Sequence, residues 1–227
     1  MALAFVDGPF GLSRVFDRSG EYVYDAQRVT SIPHMLRTFV AHIPADAPDN
    51  WHTHVAGHPP GALLFFVLLD RVGITSHLWI GIIVVTLASS AVVAALVALR
   101  AMGNESLART AAPWLVLAPS AIWMGVDGDA LFTAIAAWGL CLLAIAGTTS
   151  RRTPAVAAST LLGLSVYMSY GLVLLAVPAI AACGFAEPGV RCRGRSVARS
   201  GSRRCSLSPD FRGGRPIRSS SPATTTA

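Results

Sequence analysis

The chain has 227 residues, of which 53% are hydrophobic and only 13% are charged, and its mean hydropathy is +0.54. Soluble domains carry about 25% charged residues, so this composition excludes an ordinary soluble domain and indicates an integral membrane protein that contacts lipid. The net charge of +6 does not indicate a nucleic-acid partner, because the first 184 residues carry nine Arg and ten acids, a net charge of −1.

An amphipathic helix is predicted inside the polar N-terminal segment. Apolar side chains recur at helical spacing between Ile32 and Ile43. Thr30 or Ser31 can cap its start, and Pro44 ends it. The pattern is typical of a helix that lies flat on a membrane surface, and the alternative is a soluble helix packed on a small core.

The remaining apolar runs predict the fold class. The run 61–69 is too short to cross about 30 Å of hydrocarbon, so we predict an interfacial or re-entrant helix there. Transmembrane helices are predicted at 78–99, 110–126, 130–147 and 154–182. The last is too long for one helix and short for two, and we expect Pro178 to break it. The predicted fold class is all-α, a polytopic transmembrane helix bundle with an N-terminal external amphipathic segment.

Charges in the short loops predict the orientation in the membrane. The loops 100–109 and 148–153 each hold two Arg, whereas 127–129 holds only acids. The positive-inside rule therefore puts the two Arg loops in the cytoplasm and 127–129 outside. Residues 1–77 then also lie outside, as part of a multi-pass cell-membrane protein.

The segment 187–227 differs in composition from the rest of the chain. It is rich in Arg, Ser, Gly and Pro and has almost no apolar periodicity, which predicts disorder. The predicted topology puts its nine Arg outside, against the positive-inside rule, and the chain begins with neither a signal peptide nor a first span. We expect a truncated or frameshifted copy of a longer protein. A genuine basic tail that touches anionic lipid is the alternative.

Polar side chains suited to chemistry cluster on the predicted external side. They form three groups, 21–28, 51–60 and 127–129, which we expect to converge at the mouth of the helix bundle. Carboxylates there can act as a general base or orient a hydroxyl acceptor. Arg or His can hold a phosphate by charge-assisted hydrogen bonds. Each acid taken alone can equally be a solvated loop residue.

Three His in the middle group have the character of metal ligands. His52, His54 and His58 fall within seven residues, a density that zinc sites show. No acidic or Cys ligand is adjacent, and Pro59 restricts the backbone of His58. We therefore predict no metal and no other cofactor.

The stretch 58–103 has a basic residue before two prolines, a short apolar helix, and a long span that ends in a basic loop. In this order of elements it resembles the polytopic glycosyltransferases of the GT-C superfamily, which include protein O-mannosyltransferases and lipid A aminoarabinose transferases. A Pro-rich span at 113–119 and an exposed Asp129 before Ala-Leu follow, as in that superfamily, and 21–25 supplies acids and tyrosines before the amphipathic helix. The motif THVAGHPPG at 53–61 is especially similar to sequences of actinobacterial membrane proteins of this type. The resemblance covers roughly residues 20–182.

The resemblance implies transfer of a sugar from a polyprenyl-phosphate lipid to a cell-envelope acceptor. It implies that the first-loop acid is the catalytic base, a role that falls on Glu21 or Asp25. It also implies that His58, the basic residue before the prolines, contacts the lipid phosphate. The other candidate substrate-binding residues are Arg28, His54 and Asp129. The alternative is a non-enzymatic membrane protein or a transporter fragment, although transporters typically carry ionisable residues within their spans.

Overall fold

The computed structural model describes residues 6–17, 21–119, 127–149 and 151–185. Within these ranges the chain is all-helical, without a strand, which confirms the α-helical class. The helices are α1 Pro9–Ser13, α2 Tyr22–Arg28, α3 Ile32–Thr38, α4 Thr53–Ala56, α5 Pro60–Arg71, α6 His77–Ala101, α7 Glu105–Val116, α8 Ala130–Thr148, α9 Arg152–Met168 and α10 Ala176–Phe185, with 3₁₀ turns at Phe39–His42 and Tyr170–Leu175. The predicted tail, 187–227, lies outside the described residues.

The predicted amphipathic helix is present as α3 and the 3₁₀ turn that follows it. The hydroxyl of Ser31 accepts the backbone N–H of His34 at 3.4 Å, and a proline occupies the first turn. Met35 and Phe39 are buried, and Phe39 stacks on Trp51 with ring centroids 5.6 Å apart. The helix therefore packs on a core, as in the alternative interpretation of its pattern, while part of its apolar stripe stays exposed.

Helix α5 forms at the run 61–69, the predicted interfacial or re-entrant helix, and one of its faces is packed inside the protein. Leu63, Phe66 and Val67 are at most 2% exposed and belong to the same core as α2. A side chain on Gly61 would lie 2.5 Å from the carbonyl oxygen of Tyr167, so α5 approaches the end of α9 at backbone distance. A run of this length buries its apolar face in protein when other helices cover it, and here they do.

Helices α6 and α8 are long and apolar enough to cross a membrane. Their 25 and 19 residues match the predicted spans 78–99 and 130–147, and span about 30 Å or more at 1.5 Å per residue. They pack side by side, and the indole N–H of Trp138 donates to the hydroxyl of Ser90 at 2.9 Å. Large apolar side chains such as Trp79 on α6 remain exposed, as lipid contact would require.

The other two predicted spans have different boundaries in the structure. Helix α7 begins at Glu105 and ends at Val116, so within the described residues the predicted span 110–126 is helical only as far as Val116; 120–126 lies outside them. The run 154–182 breaks at Ser169, which is extended, and not at Pro178. Pro178 lies in the first turn of α10, where a missing N–H leaves no helical hydrogen bond unmade.

Candidate functional site

Three segments that are distant in sequence meet at the N-terminal end of α2. Glu21 directly precedes this helix, the segment 51–58 runs beside it, and the turn 127–129 leads into α8. A side chain on Gly128 would lie 2.9 Å from the ring carbons of Tyr22, so this close approach depends on glycine. The predicted convergence of the three polar groups is confirmed. We name the result the Glu21 cluster; its members are Glu21, Tyr22, His54, His58, Asp127 and Asp129.

Glu21 is a buried carboxylate with one oxygen in use. Its side chain is 10% exposed, and Oε1 lies 3.2 Å from Nδ1 of His54. Oε2 is buried and has no hydrogen-bond partner among the described residues. Burial raises the pKa of Glu21 above the usual carboxyl range, His54 opposes the shift, and repulsion from Asp127 and Asp129 adds to it. A carboxylate held in this way accepts a proton more readily than one in water, as a general base must.

Tyr22 fixes the relative positions of His58 and Asp129. Nδ1 of His58 lies 3.0 Å from the Tyr22 hydroxyl and 2.9 Å from the carbonyl oxygen of His54. Because a carbonyl oxygen can only accept, Nδ1 carries the proton. The Tyr22 hydroxyl therefore donates to Oδ1 of Asp129, at 3.4 Å. The Tyr22 ring stacks on Phe66 with centroids 5.0 Å apart, which ties the network to the core.

The charge state of this network follows from its burial. Burial, with Asp129 as the next cause, raises the pKa of the Tyr22 hydroxyl far above its usual value, so Tyr22 remains a neutral donor. Nε2 of His58 lies 3.7 Å from Oδ1 of Asp129. Burial also raises the pKa of Asp127, opposed by the Asp129 backbone N–H, which donates to its carboxylate at 3.1 Å.

Asp25 has a different environment from Glu21, although both are first-loop acids. It is fully buried and accepts three hydrogen bonds. Arg28 Nη1 donates to it at 2.9 Å, the backbone N–H of His52 at 2.9 Å, and Nδ1 of His52 at 3.0 Å. The guanidinium of Arg28 also faces Asp49 at 3.7 Å. Both oxygens of this buried carboxylate are therefore engaged within the protein, and it joins α2 to the segment 51–58.

The structure divides the predicted site residues into two sets. Glu21, His54, His58 and Asp129 lie together in the Glu21 cluster. Asp25 and Arg28 form the adjoining ion pair. Two members of the cluster, Tyr22 and Asp127, received no role from the sequence. The polar residues around them in the sequence indicated that these segments belong to the site. No sequence signal shows that the Tyr22 hydroxyl and the Asp127 carboxyl are the buried groups.

The three His do not assemble a metal site. His52 contacts Asp25, His54 contacts Glu21, and His58 contacts Tyr22 and Asp129. In the part of the chain that the structure describes, no three His, Cys, Asp or Glu side chains are placed to hold a metal ion together.

No protein family, curated protein or solved structure matches the chain.

Proposed function

We propose that this chain is a polytopic cell-membrane protein of the GT-C glycosyltransferase type. It transfers a sugar from a polyprenyl-phosphate lipid to a hydroxyl of a cell-envelope acceptor. Glu21 is the general base. Asp25, the other acid implied by the resemblance, has a structural role instead, because its side chain is fully buried and both of its oxygens are engaged by Arg28 and His52.

The observation that carries this proposal is the state of Glu21 Oε2. It is a buried carboxylate oxygen without a partner among the described residues, in a side chain whose pKa is raised by burial. Leaving a buried acceptor unsatisfied is destabilising by about 1–3 kcal/mol, so such groups in folded proteins are often explained by function. A donor hydroxyl from a substrate would satisfy it.

The proposed reaction moves one proton and exchanges one bond. Glu21 Oε2 accepts the proton of the acceptor hydroxyl while the hydroxyl oxygen bonds to the anomeric carbon of the donor sugar. The bond from that carbon to the phosphate oxygen breaks, and the polyprenyl phosphate leaves with the electron pair. The proton then reaches solvent through His54, which is 3.2 Å from Glu21 and 46% exposed.

Other members of the Glu21 cluster suit the two ends of the donor. Asp127 and Asp129 are half-buried carboxylates that can accept hydrogen bonds from sugar hydroxyls. His58 stands directly before Pro59 and helix α5, where the helix dipole favours an anion, so we assign it the lipid phosphate. Arg28 pairs with Asp25 and Asp49 outside the Glu21 cluster, so we assign it no contact with the phosphate.

The setting of the cluster supports a lipid-linked donor. Helix α8 begins at Ala130, directly after Asp129, and is one of two described helices long and apolar enough to cross a membrane. Chemistry at the end of such a helix would meet the phosphate of a membrane lipid at the interface. In this proposal α6, α8 and the segments 110–126 and 154–182 span the membrane, and the cluster is external.

The proposal is tested by transfer from labelled polyprenyl-phosphate sugars in membranes that contain the full chain. We expect Glu21→Gln to lower the rate by about 100-fold or more, because a general base contributes that much. The matched control is Glu105→Gln, which changes an exposed acid paired with Arg109 on α7 and should keep the wild-type rate. Wild-type transfer by Glu21→Gln, or no transfer by the wild-type protein with any donor, would contradict the proposal.

A further inference from the structure

A polar cleft lies beside the Glu21 cluster, at the C-terminal end of α2. Its volume is about 410 Å³, within the range of roughly 300–1,000 Å³ that ligand pockets have. The polar side chains that matter for its chemistry are Arg28, Ser31, His34, Thr38, Asp49 and Trp51. Neither its hydroxyls nor Asp49 takes part in the proposed transfer step.

We propose that this cleft binds a neutral saccharide, as the part of the acceptor that lies beyond the reacting sugar. The identification as acceptor rests on the proposed function, whereas the saccharide site itself rests on the cleft.

The charges at the cleft and directly behind it disfavour an anion. Arg28 is the cleft's guanidinium; it faces Asp49, which lines the cleft, at 3.7 Å, and the buried carboxylate of Asp25, which lies behind the lining, at 2.9 Å. These three groups sum to a net charge of −1. An entering phosphate would therefore meet Asp49 without an unmatched cation to balance it. Neutral hydroxyls gain instead, because the Asp49 carboxylate accepts hydrogen bonds while the Arg28 guanidinium and the Ser31 hydroxyl can donate them.

The cleft and the proposed base, Glu21, lie at opposite ends of helix α2. Arg28 comes seven residues after Glu21, which corresponds to about 10 Å along the axis of α2. The segment from Trp51 to His54 runs beside the helix over the same distance, because Trp51 lines the cleft while His54 contacts Glu21. A saccharide longer than one ring could therefore occupy the cleft while its terminal hydroxyl reaches Glu21.

Asp49 offers a substitution that separates a sugar from an anion. Its backbone φ is +56°, a conformation that Asn adopts as readily as Asp, so Asp49→Asn should fold. A sugar hydroxyl would lose a charge-assisted hydrogen bond and bind about tenfold more weakly. A phosphate would lose a repelling charge and bind more tightly. Asp46→Asn is the control, because Asp46 is exposed in the same loop and does not line the cleft.

The experiment is saturation-transfer NMR on the full chain in lipid nanodiscs, with cellobiose and mannobiose as probes and inorganic phosphate as competitor. We expect a disaccharide to bind the wild type and Asp46→Asn alike, to bind Asp49→Asn about tenfold more weakly, and to resist displacement by phosphate. Binding of neither disaccharide, equal binding by Asp49→Asn, or displacement of the disaccharide from the wild type by phosphate would overturn the inference.

Transfer kinetics separate this inference from the proposed function. If both hold, Asp49→Asn raises the KM for the acceptor with little change in kcat, whereas Glu21→Gln lowers kcat. If the protein transfers no sugar but binds a disaccharide in a way that depends on Asp49, the proposed function is wrong and the saccharide site is supported. If Asp49→Asn transfers sugar with an unchanged KM for the acceptor, the saccharide site is wrong and the proposed function is supported.

Discussion

Replacing Asp25 with Asn should unfold the N-terminal helices rather than remove a catalytic base. Oδ1 of Asp25 accepts from Arg28 and from the His52 ring, and Oδ2 accepts from the His52 backbone N–H. An Asn amide has one accepting oxygen. In its better orientation the Asn NH₂ group takes the place of Oδ2 and faces the His52 N–H, so two donors meet and that partly buried N–H loses its partner.

The magnitude follows from these contacts. Losing a hydrogen bond to a charged acceptor removes about 1.5–3 kcal/mol, and the orphaned N–H adds about 1–3 kcal/mol. The charge of Arg28 also loses its nearest carboxylate, although a side chain that is 34% exposed recovers part of this from solvent. We expect a loss of about 3–5 kcal/mol, and for a chain of this size a fall in Tm of roughly 5–15 °C.

Two measurements check this expectation. Thermal unfolding in detergent, followed by the loss of a monodisperse peak in size-exclusion chromatography, gives the shift in Tm. Limited proteolysis shows whether the segment around α2 opens first. Glu21→Gln is the matched comparison, because it keeps its neighbours' hydrogen bonds and should retain wild-type stability. An Asp25→Asn protein with wild-type Tm and no transfer activity would refute the reasoning and return the catalytic role to Asp25.

Three further predictions concern pH, packing and topology. Because the pKa of Glu21 is raised and a general base must be ionised, kcat/KM should rise with pH around a pKa above the ordinary Glu value of about 4.3. A rise centred on that ordinary value would contradict the assignment. Ionisation of Glu21 also lowers folding stability as the pH rises through its folded-state pKa. Gly81→Ala should lower folding stability by about 1–3 kcal/mol, because the new Cβ would lie 2.2 Å from a backbone carbonyl oxygen of α1. The control Gly163→Ala should not lower it, because nothing lies within 4 Å of that Cβ. Equal Tm values for the two variants would contradict the packing. In intact cells an impermeant thiol reagent should label a Cys at 50 but not one at 104, and the reverse pattern would invert the proposed topology.

The sequence was sufficient to predict features that depend on local pattern or on length. The uncharged runs of α6 and α8 predict helices within a few residues of their observed ends, because a long apolar run permits little else. The start of α3 was also predictable, since Ser31 and the proline after it are a local capping signal. The polar segments of the candidate site were found in the same way.

Roles within the site depended on burial, which the pattern does not show. Glu21 and Asp25 are four residues apart and look equivalent in sequence. In the fold, the segment 51–58 covers both, yet it gives Asp25 three donors and leaves one oxygen of Glu21 without any among the described residues. The same segment gives Tyr22 its hydrogen-bonding partner His58.

The sequence by itself therefore determined the helical class, the two long apolar helices and the identity of the polar groups, because each follows from properties of contiguous residues. Tertiary structure decided the surroundings of the short elements. An apolar run such as α5 is equally suited to a lipid environment and to a protein interior. It is a core helix here because α2 and α9 pack against its face. The break at Ser169 likewise lies next to the close approach of Gly61 to Tyr167, a contact between residues more than a hundred positions apart that no local pattern encodes.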